Sequence, residues 1–540
     1  MSLTARRPLG QVQIVAVIAL LVAAFLIEMS FSNAPFREAL ENPSRPRQLA
    51  AASQEAVRAV IRFPLVQTRV AIATPAAWWP LVVVTLALLV IAAGTSTNAP
   101  RPPTTLQTWT MTAVCVGLLV WMLRGGSFDW TRQDWQKEWT YFSAWQEALR
   151  GGELPWMLRT GMQGTEQFLA NPESMFGPQV LLLLWLSIPT VALVNLVLYA
   201  TAGVWACRLL AREIGLDSLT ACAFMFVFVM NGHITSHLAV GHIQWAAYFL
   251  LPFVFLFIVR AARDHQHPLR HAAGLALVLF AMLMTGGWHV FVWAVLITAL
   301  FVVLSPSRWR FGFLAAALTA GVMAFRVLPG VMVFGGGTNE FISGYPSVAV
   351  GVNALVGSAV AAEGGLTWWE YDAFLGWIGF AIVCVGLTRS WRDGSSLRIL
   401  AIPGLVMIVL SLRDFYFRTL FQLPGFVSER VSSRLAIVGI LIFLLLGFQQ
   451  LAASSAARQR SRLYYGAVIG GGLLMILQLV LHAEAIRPAG GSLIVPTLTA
   501  VKPIEPGRSY RYSVTAGVAI SAITAGYALR IVTRRNHPVA

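Results

Sequence analysis

A chain of 540 residues that is 57% hydrophobic and 11% charged, with a mean hydropathy of +0.69, is too apolar for an ordinary water-soluble protein. Its net charge of +16 comes from arginines in the turns between apolar runs, so contact with anionic lipid explains the charge better than nucleic-acid binding does. There is no P-loop, dinucleotide fingerprint or CxxC, which leaves ATP and nicotinamide chemistry without support.

Apolar runs able to cross roughly 30 Å of hydrocarbon lie near 11–29, 75–93, 106–123, 184–207, 244–260, 271–286, 289–304, 310–328, 372–388, 435–454, 463–482 and 512–529. Two shorter runs, 218–231 and 399–412, need flanking residues to span. The expectation is an all-α polytopic membrane protein with about 14 (12–14) helices. With fourteen helices and an inner N-terminus, nearly all of the net positive charge falls on one side, as the positive-inside rule requires. Both termini are then cytoplasmic, in a bacterial inner membrane, and the 124–177 loop faces outward.

In chain order, residues 1–105 form an appended unit of two spans, the first a retained signal anchor. Between them, 31–73 reads as a Pro-rich turn and a surface helix at 50–62, or equally as a docking surface for another subunit. The core is expected over 106–462, followed at 463–540 by a transmembrane hairpin and a basic tail. Cys115, Cys207, Cys222 and Cys384 all fall in apolar runs at spacings unlike any metal site.

The 125–178 stretch, opening GGSFDWTRQDWQKEWTYFSAWQEALR, sets Asp129, Asp134 and Glu138 among aromatic residues. A helix over 131–149 would put Asp134 and Glu138 on one face with Tyr141 and Trp145. Carboxylates rimmed by indole and phenol rings suit a sugar, whose hydroxyls need acceptors and whose ring needs an apolar floor. A carboxylate can also take the proton of an attacking hydroxyl. The plainer alternative is a solvated interfacial loop with an aromatic belt. Asp129 with Asp134 could hold a divalent cation, but two carboxylates alone specify none.

Further along, GHITSHLAVGHI carries His233, His237 and His242, and GGWH places His289 at a tight hairpin. Without HExxH, hydrogen bonding to sugar, phosphate or backbone outranks zinc. Arg326 stands near the outer end of an apolar run, where a cation needs a partner or ligand. The glycine-rich 330–371 segment holds Glu340, Glu363 and Glu370. Arg430 and Arg434, four apart before the span at 435, could neutralise a phosphate at headgroup level, with snorkelling as the competing reading.

The ordered motifs DWQKEWTYFSAWQEAL (134–149), GGELPWM (151–157), LANPESMFGP (169–178), GHITSHLAVGHIQW (232–245), GGWH (286–289), SGYPSVAVGVNALVG (343–357), WWEYDAFLGWIG (368–379) and PGFVSERVSSR (424–434) together resemble the YfhO-like branch of the GT-C glycosyltransferases. The resemblance covers roughly 106–460. It implies a GT-C fold and inverting transfer of a sugar from a polyprenyl-phosphate donor to a glycan, lipid or protein. It further implies Asp134 as base with Asp129 the alternative, and Arg430 and Arg434 on the leaving phosphate with Arg326 as a third cation. Glu370, Tyr371, His237, His242 and His289 would shape the sugar pocket. PWMLRTGMQG at 155–164 departs from the family's WNP-type sequence, and residues 1–105 lie outside the resemblance, where they could contact a protein subunit. A noncatalytic assembly subunit, or a transporter of a lipid-linked substrate, are the competing readings.

Overall fold

The computed structural model describes residues 102–123, 127–160, 164–333, 340–357, 367–389, 398–423, 426, 429–457, 462–488, 492–496 and 506–534. The expected spans near 11–29 and 75–93, the 31–73 segment with its surface helix, and Glu363 lie outside them. Most described residues are helical, and regular strand pairing is confined to a short antiparallel hairpin, Leu158–Thr160 with Gly164–Glu166.

Among the described residues, eight helices are long and apolar enough to cross a membrane: Thr105–Met122, Ile188–Ile214, Ser218–Ala239, Ile243–Arg263, Trp368–Arg389, Ser432–Ala453, Ile469–Ile486 and Arg508–Thr533. Trp288–Val303 and Pro306–Val322, bent by 116° at their junction, form a broken pair. Pro268–Met284 and Ile399–Leu410 are apolar but fall short of the roughly 20 residues a straight span needs. Every apolar run expected beyond residue 105 thus lies on a helix, while fewer of these helices than expected are long enough alone.

Local chemistry sets the helix ends. Thr104 and Gln107 form a reciprocal capping box at the first described helix. Ser187 caps Ile188–Ile214, so Pro189 starts that helix, where its missing N–H costs nothing, instead of kinking it. Asn231 ends Ser218–Met230 and caps Gly232–Ala239, its side chain accepting from the Ile234 N–H and donating to the Tyr248 hydroxyl at 2.8 Å. One asparagine thereby aims the short histidine-bearing helix at its neighbours.

The last two helices are tied into the bundle. His482 Nε2 lies 2.7 Å from Asp372 Oδ2, both buried. The Tyr510 hydroxyl accepts from the Ala170 N–H at 3.0 Å and donates to the Trp156 carbonyl, and Ser521 accepts from the Phe325 N–H. Cys115, Cys207, Cys222 and Cys384 are all free thiols.

Candidate functional site

Connections at one end of the bundle converge because two glycines permit it. Gly241 has φ +102°, and a Cβ there would stand 2.3 Å from the Trp135 nitrogen. The turn therefore lies flat against the start of the Trp135–Arg150 helix, and the Asp134 N–H donates to the Val240 carbonyl while the Trp135 indole donates to that of Ala239. Gly286 has φ +78°, and a Cβ there would stand 2.2 Å from the Glu173 carbonyl oxygen, so this turn lies against the loop that carries Glu173. Only glycine adopts such a conformation without strain and allows this approach.

Asp134 stands just ahead of its helix, and its Oδ2 lies 2.6 Å from His242 Nε2. His242 Nδ1 is in turn 2.6 Å from His237 Nδ1. An ionised carboxylate only accepts, so His242 carries its proton on Nε2 and accepts at Nδ1 from His237. His237 Nε2 is then a buried acceptor without a hydrogen-bond partner in the structure. Burial pushes the Asp134 carboxyl upward, but the His242 hydrogen bond and charge, with Lys137, outweigh it and hold the group below the ordinary range. His242 is pushed down by burial against the pull of Asp134.

One turn along the helix, Lys137 Nζ lies 3.0 Å from Glu173 Oε2, 3.7 Å from Asp134 Oδ2 and 4.0 Å from Glu138 Oε1. Burial lowers the ammonium's pKa, yet the three carboxylates more than reverse this and raise it. Glu138 is buried with Oε1 lacking a hydrogen-bond partner, and burial, partly opposed by Lys137, pushes its carboxyl up to about 8. Glu173 is held well below the usual range, because Lys137 and His289 overcome its burial. His289 bridges onward, its Nε2 3.4 Å from Glu173 and its Nδ1 2.6 Å from Glu429, whose other oxygen accepts from the Trp293 indole at 3.0 Å.

The Trp245 indole joins the two arms: His237 lies at 4.4 Å, His289 is stacked at 6.0 Å and the Arg434 guanidinium sits 5.3 Å above its centroid. Arg434 is held by Glu370 through two parallel bonds, Nε to Oε2 at 2.7 Å and Nη2 to Oε1. The structure thus brings Asp134, Glu138, His237, His242, His289, Glu370 and Arg434 into one cluster.

Other expected site residues stand differently. Asp129 accepts from both groups of Thr131 and pairs with Arg132 at 2.9 Å. Arg430 follows an extended course, its carbonyl accepting from the Ile342 N–H, and its exposed side chain makes no ion pair among the described residues. The two arginines do not share a helical face, because Val431 bridges Ser343 and a tight turn begins only at Ser432. Arg326 is buried and donates to the carbonyls of Leu169, Asn171 and Ser174 and to the Ser174 hydroxyl. It clamps the loop that carries Glu173, and those four acceptors leave its terminal nitrogens little capacity for a phosphate. Trp145 donates to the Met175 carbonyl, Tyr141 accepts from the Asn171 amide, and Tyr371 is fully buried against Tyr345.

Sequence reading missed Lys137, Glu173, Glu429, Trp245 and Trp293. Lys137 alone carried a local signal, at i+3 from Asp134 and beside Glu138.

Asp134, Lys137 and Glu173 keep 43%, 30% and 31% of their side-chain surface accessible, whereas Glu138 and Glu429 are buried. These three form the open edge of the cluster. Behind it, a cavity of about 10 Å³ beside Glu138, Tyr141, Trp145 and Thr285 has room for about one water. A separate apolar groove of about 410 Å³, lined by Leu275, Phe291, Val295, Ala316 and Met323 among others, contains none of the charged residues above. No group of three metal-ligating side chains suited to an ion occurs among the described residues.

The chain is similar to the solved structure of the arabinofuranosyltransferase AftD from mycobacteria, with 15% identity and a TM-score of 0.45 over 81% of this chain and 28% of that one. For a mutant of the same enzyme the values are 14%, 0.49, 76% and 29%. The chain therefore spans less than a third of the length of these structures. No family model and no curated protein matches it.

Proposed function

We propose that the protein is an inverting membrane glycosyltransferase of the GT-C type, moving a sugar from a polyprenyl-phosphate donor to a hydroxyl acceptor on the noncytoplasmic side. One observation carries this reading. A partly exposed carboxylate, Asp134, shares a single connected cluster with Lys137 and Arg434 at the end of a hydrophobic helix bundle.

In the proposed step, Asp134 takes the acceptor's O–H proton as that oxygen bonds to the anomeric carbon. The bond from that carbon to the phosphate oxygen breaks, and the phosphate leaves with the electron pair, its charge met by the Lys137 ammonium. His242 and His237 orient the base. One displacement inverts the anomeric centre without a glycosyl-enzyme intermediate.

A noncatalytic role in a membrane assembly is favoured by one specific observation, the engagement of Arg434 by Glu370. Purified protein incubated with radiolabelled polyprenyl-phosphate sugars and a panel of hydroxyl acceptors separates the two. Transfer that Asp134→Asn abolishes while the variant stays folded supports the enzyme, and unchanged turnover in that variant removes Asp134 as base.

A further inference from the structure

A two-carboxylate site for a divalent ion, with Asp129 beside Asp134, does not fit this structure. Asp129 is engaged by Thr131 and Arg132. The carboxylates that do gather near Asp134 are Glu138 and Glu173, and the point between them is taken by the Lys137 ammonium, 3.0 to 4.0 Å from all three. We propose that Lys137 stands where a metal-dependent enzyme would hold its divalent ion, so that the site works with a built-in monovalent cation and needs no metal. The proposal rests on the transferase reading for its role in chemistry but not for its test.

Several observations converge on it. Glu138 Oε1 is buried without a hydrogen-bond partner, and the ammonium is the cation within 4.0 Å of it. Glu173 is fixed from both sides, by Lys137 and by His289, on a loop clamped by Arg326, so it cannot swing away to make room for an ion. Lys137 and Asp134 are three residues apart at the start of one helix, which keeps base and countercharge in a constant relation. Lys137 also lies on the open edge of the cluster, where the charge of an arriving phosphate would meet it. A divalent ion wants oxygen ligands at about 2.0–2.6 Å and would have to displace this ammonium to obtain them.

The three carboxylates are not grouped closely enough to hold an ion as they stand, and removing the ammonium that spaces them should let them close on an added one. Electron paramagnetic resonance of Mn²⁺ added to the purified full chain is expected to show no specifically bound ion in the wild type. Lys137→Ala should bind Mn²⁺ at least about tenfold more tightly than the wild type, the scale on which neighbouring groups tune metal affinity, and Lys137→Ala/Glu173→Gln should lose the gain. Should Lys137→Ala not fold, Lys137→Gln retains the chain length and answers the same question. Wild-type protein that binds Mn²⁺ in a manner abolished by Asp134→Asn would overturn the proposal, as would a folded Lys137 variant with no gain. Where transfer is measured, EDTA should leave the wild-type rate unchanged, and a loss restored by Mn²⁺ would also overturn it. Because Mn²⁺ binding is read without turnover, failure of the transferase reading leaves this test intact.

Discussion

Glu370 accepts two parallel hydrogen bonds from Arg434, so the cation expected to receive a phosphate is already matched by a carboxylate from another helix. Both side chains are nearly out of solvent, at 12% and 8% exposure. Removing one member of such a pair strands the other charge. Glu370→Gln should therefore lower stability by about 3–5 kcal/mol, read as a fall in the apparent unfolding temperature in detergent. Adding Arg434→Met to that variant should recover much of the loss. A Glu370→Gln protein as stable as the wild type would show that the pair does not hold the site.

On the proposed transferase reading, His242 sets the acid limb of the rate. Burial alone would raise the Asp134 carboxyl, and the His242 hydrogen bond and charge are the largest opposing influence, ahead of Lys137. Asp134 consequently stabilises the fold above its unfolded value of about 3.9, a contribution lost as pH falls through its lowered folded value. His242→Ala removes the largest opposing influence, so the acid limb of kcat/KM should move to higher pH. A limb that stays in place would separate Asp134 from the rate.

Glu138 works in the opposite direction. Its carboxyl is raised to about 8 against roughly 4.3 in an unfolded chain. The folded state therefore binds more protons across that window, and stability falls as pH rises through it. Glu138→Gln cannot ionise. Relative to the wild type it should be distinctly more stable at about pH 9 than at about pH 5, measured as the difference in unfolding temperature at each pH.

Gly241→Ala should displace the base. The added methyl meets the Trp135 nitrogen at 2.3 Å on a backbone with φ +102°, so the turn must retreat from Asp134. A useful control is Gly152→Ala, which carries comparable strain at φ +72° with no atom within 4 Å of the added carbon. Both should lose about 1–3 kcal/mol of stability from the backbone conformation, but only Gly241→Ala should also lose transfer. Equal activity in the two variants would detach the Gly241 contact from the site.

The helices were legible because each apolar run carries its own signal, whatever it packs against. Their lengths were less so: Pro306 and Arg308 marked the break between the 289–304 and 310–328 runs, but the 116° angle between the two halves depends on what they pack against. Within the cluster, the turn chemistry of GHITSHLAVGHI and GGWH was visible because glycine and histidine together are rare in apolar sequence. Glu173 and Glu429 were not visible as partners of His289, since a pairing across 140 residues leaves no local pattern. The different settings of Arg430 and Arg434 were not legible in their spacing for a related reason: the chain runs extended through Val431, which four residues of sequence do not announce.

The Tyr510 contacts make the charged cluster depend on a distant part of the chain. The loop bearing Glu173 rests on the Arg326 clamp from one direction and on the Tyr510 hydroxyl from the other, and Tyr510 belongs to the last described helix. A nascent chain still lacking that helix would hold its charged residues without the support that fixes Glu173 beside Lys137. The geometry of the cluster thus leans on a helix that contributes none of its charged side chains, Arg508–Thr533.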